Sequence, residues 1–389
     1  MRYPLTKTWK SLIQAKKHPL FTTSKQISQP LKQPSTAITA LLLAAGFGLS
    51  VVIPASATGT ATQATPPHQK TQRLSQQPKT AELTLVSYSV TKAAYDKIVP
   101  QFVAKWKREH NQDVKIQQSY GGSGSQARAV IDGLEADVVA LSLARDIQKI
   151  EKASLIQPGW EKEAPNEAIV TRSVVALVTR AGNPKKIRTW ADLAKPGIST
   201  ITPNPKTSGG AMWNFLGLWG SITQTGGDEN KALQFVTQVF KNVPVLPKDA
   251  REATDTFFKQ KQGDVLITYE NEVILAAQKG ETGSFSVIPQ SNISIDNPVA
   301  VVDKNVDKHG TRQVAEAFVK YLFTPEAQRE FTKVGFRPVE PSVTKEVASK
   351  FPQVTKLFTV KELGGWDSIQ KKFFDDGAVF DQIQSNRRL

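Results

Sequence analysis

"DVKIQQSYGGSGSQARAVIDGLEADVVALSL", residues 113–143, holds the reading that decides the fold. Its start, "DVKIQQSY", is a strand-like run that stops at the glycines 121 and 122, as a strand does where it meets a turn. Beyond them Ala127, Val130, Ile131 and Leu134 fall at i, i+3, i+4 and i+7, one face of an amphipathic helix. "ADVVALSL" is then a continuous apolar run, the pattern of a strand covered on both faces. Strand, glycine loop, helix and strand make a βαβ unit, whose strands run parallel.

Working outward, "ELTLVSYSV" (82–90) supplies an earlier strand. The stretch to His110 then carries Ala94, Ile98, Phe102 and Trp106 at helical spacing, with a bend or break expected at Pro100. The same grammar restarts downstream. "AIVTRSVVALVTRAG" (168–182) reads as one long strand, "TWADLAKPG" as a short helix, and "ISTITPN" as a strand running into "NPKTSGGAMW" (204–213). Two helices follow, "NKALQFVTQVFKNV" and "AREATDTFFKQKQG", and "DVLITYENE" (264–272) is again a strand. "FSVIPQ" and "PVAVVDKN" add strands, and residues 311–335 are helical with an interruption at Pro325. No repeat of fixed period occurs; the α/β pattern simply runs twice.

Composition narrows the chemistry. The 389 residues are 39% apolar and 22% charged, which suits a globular chain of two domains. With no cysteine there is no disulfide, thiol nucleophile, Cys-ligated metal or lipid-bearing cysteine. Of the net +15, a large share lies in residues 1–57, which hold Arg2, Lys7, Lys10, Lys16, Lys17, Lys25 and Lys32 and no acid. The remaining charge forms no basic stripe interleaved with aromatics, which argues against nucleic acid as a partner. "AITALLLAAGFGLSVVIPASA" (37–57) follows the basic segment and ends in small residues, the three parts of an export signal cleaved near Ala57. Residues 58–81 read as a flexible polar leader. The mature protein is thus expected in a periplasm.

Three loops share one design. Ser123 in "GGSGS", Gly209 and Gly210 in "TSGGA", and Ala250 in "KDARE" each stand at a helix start behind a strand or loop. Small residues there let an anion approach N–H groups at the positive end of the helix dipole. None of the loops fits the nucleotide P-loop, and "GGSGS" does not fit the nucleophile elbow G-x-S-x-G. His110 and His309 are the only histidines of the body, and both lie in polar contexts that read as solvated rather than catalytic. Glu270 and Glu272 flank Asn271 in a setting that predicts no acid/base pair.

Taken together, "SYGGSGSQARAVIDGLEADVV", "ITPNPKTSGGAMWNFLGLWG", "AREATDTF", "GDVLITYENE" and "GFRPVE" resemble the periplasmic sulfate-binding proteins of ABC importers, over about residues 82–385. The resemblance implies an α/β, two-lobed periplasmic-binding-protein fold (type II-like), each lobe a mainly parallel sheet flanked by helices. It assigns 82–165 plus 272–325 to lobe 1, 166–271 to lobe 2, and 326–389 to a C-terminal helical tail packing on the lobes. Carried over, the ligand donors are the N–H of Ser89, the N–H and hydroxyl of Ser123, the N–H groups of Gly209, Gly210 and Ala250, and the side chain of Tyr269. The family commonly has Asp in place of Ser89 and Trp in place of Tyr269. Tyr120 and Met212 stand where His and Arg are frequent, which strips charge from the pocket edge. The implied role is non-enzymatic capture of sulfate for an inner-membrane permease by a monomer with no cofactor and no metal. Thiosulfate, or molybdate and tungstate, are the alternative ligands, and a secreted anion-processing enzyme is the alternative class.

Overall fold

The strand read at 82–90 forms as β1 (Ala81–Tyr88) in a computed structural model describing residues 80–387 apart from 279 and 281–284. The export signal, its cleavage point, His18, His68 and nearly all of the polar leader lie outside the described residues. A 3-10 turn at Ser89–Thr91 leads into α1 (Lys92–His110) and on to β2 (Val114–Gly121). Tyr95, Ile98, Phe102 and Trp106 bury one face of α1, and the helix runs through Pro100 without the expected break. Pro100 is exposed, so the carbonyl that its ring leaves without an N–H partner is within reach of solvent. Asn111 closes the helix in the left-handed conformation (φ 50°) and gives its N–H to the Lys107 carbonyl.

After the glycines come α2 (Ser123–Ile131), β3 (Val138–Ala140) and α3 (Ala144–Lys152). Ala127 and Val130 are buried as the helical spacing requires, while Ile131, at the end of the helix, is 38% exposed. β1 lies parallel to both β2 and β3, as the βαβ reading demands.

The long strand expected over 168–182 is two strands in two different sheets. β4 (Ile169–Ser173) and β5 (Val175–Thr179) part at Val174. The Asn292 side chain makes the crossing possible. Its amide oxygen accepts from the Val175 N–H (3.1 Å) and its amide nitrogen donates to the Val175 carbonyl (2.8 Å). The Val174 carbonyl takes the Glu270 N–H at 2.9 Å. β5 is buried throughout and β4 at every residue but Ile169 and the exposed Arg172, and no turn residue stands at the join, so the local sequence had no means of marking it.

β6 (Thr200–Ile201) precedes α4 (Gly209–Thr223), α5 (Glu229–Lys241) and α6 (Ala250–Phe258). The expected strand at 264–272 ends early: β7 is Val265–Tyr269, and α7 (Glu270–Gln278) starts at the next residue. β8 (Phe285–Val287), β9 (Ser291–Ile293), β10 (Ile295–Val301) and, later, β11 (Lys356–Phe358) complete the strands. The first sheet has the order β2-β1-β3-β10-β4 and the second β6-β7-β5-β8.

The α/β, two-lobed architecture is present, with a difference in strand direction. In the second sheet only β6 and β7 are parallel; β5 is antiparallel to both of its neighbours because it arrives straight from β4 instead of through a crossover helix. In the first sheet β10 opposes both β3 and β4. Sheet membership changes at Val174 and changes back between Val287 and Ile295, so β4 belongs with lobe 1 and β8 with lobe 2, contrary to a division at 166 and 272.

The residues after Pro325 divide between the lobes. The helix Pro325–Lys333 packs on α1, with Phe331 edge-on to Tyr95 at 5.6 Å. Phe373 and Phe374 instead lie 5.4 and 5.3 Å from Phe215 of α4. α4 is buried almost all round, as a helix apolar on every face must be.

Candidate functional site

The three glycine- and serine-bearing loops end as the starts of α2, α4 and α6. First-turn N–H groups have no carbonyl of their own helix to bind. Among the described residues, the N–H groups of Ser123, Gly209, Gly210 and Ala250 meet no protein acceptor, and the capping oxygens of Ser208 and Asp249 take Ala211 and Glu252 further along.

Glycine at 209 and 210 is a matter of space. A Cβ on Gly209 would lie 2.7 Å from the Ser142 hydroxyl oxygen and 2.8 Å from its Cβ. On Gly210 it would lie 2.8 Å from a Tyr269 ring carbon and 3.2 Å from the Ala250 Cβ. Both positions have helical φ, so close approach and not a left-handed turn excludes side chains. Gly122 answers the same demand across the lobes, where a Cβ would meet the Thr207 carbonyl oxygen at 2.4 Å.

The sequence-derived residues therefore converge. Gly209 faces Ser142, Gly210 faces Tyr269 and Ala250, and Ser123 accepts the Ser142 N–H at 3.1 Å. Ser89 donates its hydroxyl to Asp249, the residue before Ala250, at 3.1 Å. The Ser123 hydroxyl departs from its expected use. Its proton goes to the buried Asp146 carboxylate at 2.7 Å, which leaves the backbone N–H as the donor free for a ligand.

Tyr269 ends β7 with its ring 2% exposed. Burial holds its phenol above the ordinary value of 10.0, with the Ser142 hydrogen bond opposing, so the side chain keeps its proton. The charge expected to be missing at Met212 returns from the other lobe. The Arg145 guanidinium lies 3.6 Å from the Met212 sulfur and 3.3 Å from Asp146, beside a cavity of ≈ 210 Å³ that includes Gly124, Lys206, Ser208 and Gly209 in its wall.

Behind Tyr269 the two glutamates are fully engaged. Arg337, from "GFRPVE", binds both oxygens of Glu270 at 2.7 and 3.0 Å, while Glu272 takes Arg251 at 2.8 Å and Thr254 at 2.9 Å. Burial pushes the Glu270 carboxyl up and Arg337 draws it back down. These pairs explain why distant motifs occur together, and they leave no acid/base dyad. His110 stacks on Trp106 at 3.7 Å on the surface of α1. His309 is not merely solvated: its two ring nitrogens meet Asp137 and Glu135, each at 2.9 Å, far along the chain from the glycine loops.

Sequence reading missed Ser142, Trp213, Asp146 and Asp249. Ser142 had a usable signal, a polar residue inside the apolar run "VVALSL". The aspartates had none, because their role depends on which loop each one meets across the fold.

Residues 83–337 match the family described as bacterial extracellular solute-binding protein. The chain is 62% identical to the sulfate-binding protein of Synechococcus elongatus over 78% of its own length and 86% of the relative. It is 43% identical to the thiosulfate-binding protein of Pseudomonas aeruginosa over 77% of its length and 91% of the relative. In structure it is similar to the sulfate-binding protein SubI from Mycobacterium tuberculosis, with TM-score 0.70, 38% identity, and coverage of 76% of this chain and 100% of that one.

Proposed function

The chain belongs to the bacterial extracellular solute-binding proteins, and on that premise we propose that it captures sulfate between its two lobes and delivers it to the permease of an ABC importer. The observation that carries this reading is the meeting of bare helix-start N–H groups from α2, α4 and α6 around the Gly209–Gly210 backbone. Sulfate at neutral pH has no proton and only accepts hydrogen bonds. Several N–H dipoles share its two charges, so a paired cation is unnecessary.

The same donors discriminate. Hydrogen phosphate carries a proton that needs an acceptor, and an unmatched buried partner of this kind costs roughly 10⁴-fold in selectivity. Ser89 and Ser123 come from lobe 1 and Gly209, Gly210, Ala250 and Tyr269 from lobe 2, so binding favours the closed form of a hinge. The chain passes between the two sheets at Val174 and around Asn292, and these crossings are the expected hinge. The export signal expected at 37–57 and the extracellular solute-binding family support a periplasmic setting for this event. Thiosulfate is the second ligand to test, given the similarity to a thiosulfate-binding protein; molybdate and tungstate enter because Tyr269 reaches a different point from an indole. The relatives are binding proteins, and neither histidine of the body approaches the loops, so the site is read as a carrier and not a catalyst.

Calorimetric titration of the full chain, dialysed free of anions, is the test. One-to-one sulfate binding without heat from phosphate is expected. Absence of sulfate binding, or equal response to phosphate, would overturn the reading.

A further inference from the structure

Ser89 and Asp249 are 160 positions apart in the chain and belong to different lobes, yet their side chains meet. Ser89 opens the 3-10 turn after β1, and Asp249 immediately precedes Ala250, the first residue of α6. The Ser89 hydroxyl donates to the Asp249 Oδ1 at 3.1 Å. The same oxygen accepts the Glu252 N–H at 3.0 Å and so caps α6. A carboxylate oxygen offers two lone pairs, and these two donors occupy both. Asp249 is 6% exposed, so little water competes for them.

The backbone beside this pair is shaped for close approach. The Thr207 hydroxyl fixes the Lys248 carbonyl at 2.7 Å within lobe 2. Facing both residues from lobe 1 is Gly122, where a Cβ would lie 2.4 Å from the Thr207 carbonyl oxygen and 3.3 Å from that of Lys248. A side chain at 122 would hold the lobes apart where Ser89 reaches across. The two bonds to Asp249 differ in what they depend on. The Glu252 cap lies wholly within lobe 2 and survives any opening of the cleft. The Ser89 bond exists only while the lobes are together; opening returns its donor and acceptor to water. It therefore acts on closing and not on the fold of either lobe.

We infer that Ser89 and Asp249 form a latch across the cleft: Ser89 is a positioning residue whose hydroxyl, as distinct from its N–H, holds the closed form shut around the anion. The inference rests on the oxyanion reading above. A closing bond made between two protein groups favours every anion that the closed cleft admits by the same factor, so it raises affinity without setting selectivity. It also ties positions 89 and 249 to each other. A carboxylate at 89 would meet the Asp249 carboxylate across the closing gap, whereas a carboxylate facing an amide would latch with its polarity reversed.

The test is titration of the full chain and its Ser89→Ala, Ser89→Thr, Ser89→Asp and Ser89→Asp/Asp249→Asn variants with sulfate and with selenate, a larger dianion of the same shape. Closure is read in parallel from the distance between spin labels at Ala104→Cys on α1 and Lys241→Cys on α5, exposed positions in a chain with no other cysteine. Ser89→Ala is expected to weaken sulfate and selenate alike, by about tenfold, as loss of a bond to a charged group implies. Ser89→Thr, which keeps the hydroxyl, should bind as the parent does. Ser89→Asp should weaken both anions by roughly a hundredfold or more, with closure shifted to correspondingly higher sulfate. In the double variant the new amide donates to the new carboxylate while its oxygen keeps the Glu252 cap, and affinity should return to within about tenfold of the parent. Parental affinity in Ser89→Ala would overturn the latch. So would a Ser89→Asp defect that the change on the opposite lobe does not relieve, since that would make Ser89 a local structural residue. A parent chain that binds no sulfate would instead remove the functional reading beneath the inference, so the two failures are distinguishable.

Discussion

Within four residues, "YENE", the molecule changes its way of handling polarity. Tyr269 faces a wall of neutral donors, whereas Glu270 and Glu272, immediately behind it, are buried carboxylates held by Arg337 and Arg251. In front, dipoles are left open and no side-chain charge is offered by the sequence-derived site residues. Behind, formal charges are closed off in pairs with good geometry. The difference teaches where a dianion can be tolerated. Its charge is met by partial charges that belong to the fold, while the fold's own full charges are compensated before they reach it.

The contrast can be broken from the front. Gly210→Asp adds a carboxylate where even a Cβ lies 2.8 Å from Tyr269, and it sets like charge against the dianion. Complete loss of sulfate binding in calorimetry is expected; retained affinity would mean the anion sits elsewhere. It can also be broken from behind. Arg337→Met strands Glu270, 3% exposed, without its cation, and unfolding in urea should show a loss of about 3–5 kcal/mol. A loss below 1 kcal/mol in such a variant would show that the pair is already dispensable.

The smallest effect sharpens the comparison by testing a charge cluster remote from the site. His309 has its pKa raised by Glu135 and then Asp137, with Lys308 and Thr311 as the neighbouring partners of the same two carboxylates. A raised folded value means the stabilisation is fully present below the ordinary histidine value of 6.5 and fades as pH climbs through the folded one. Stability measured by denaturant should therefore decline as pH rises above 6.5, and His309→Gln should flatten that slope while sulfate affinity holds. Identical slopes in parent and variant would assign the pH response to other groups.

Much of this arrangement was legible in the residues, because the strand-loop-helix units are local. Ser123, Gly209, Gly210 and Ala250 declare themselves as helix starts by size and position alone. Ser89 and Tyr269 could be named only through the family resemblance, since nothing in their own neighbourhoods marks a ligand contact. What escaped was set by distant partners. The division of 168–182 at Val174 depends on Asn292, over a hundred residues on, whose amide substitutes for a strand neighbour. The end of β7 at Tyr269 depends on Arg337 and Arg251 drawing the glutamates aside into α7. Ser142 counted as one more strand residue until its two indole and phenol neighbours were in place.

The glycine pair has a consequence for how such a protein can change over generations. A donor that belongs to the peptide bond survives every substitution of the residue that bears it except proline, yet any substitution at 209 or 210 adds atoms where none fit. The inner wall is thereby frozen in chemistry and in shape. Inherited variation is left to the side chains around that wall, the hydroxyls of Ser142 and Tyr269 among them, where a group can change without moving the glycine backbone.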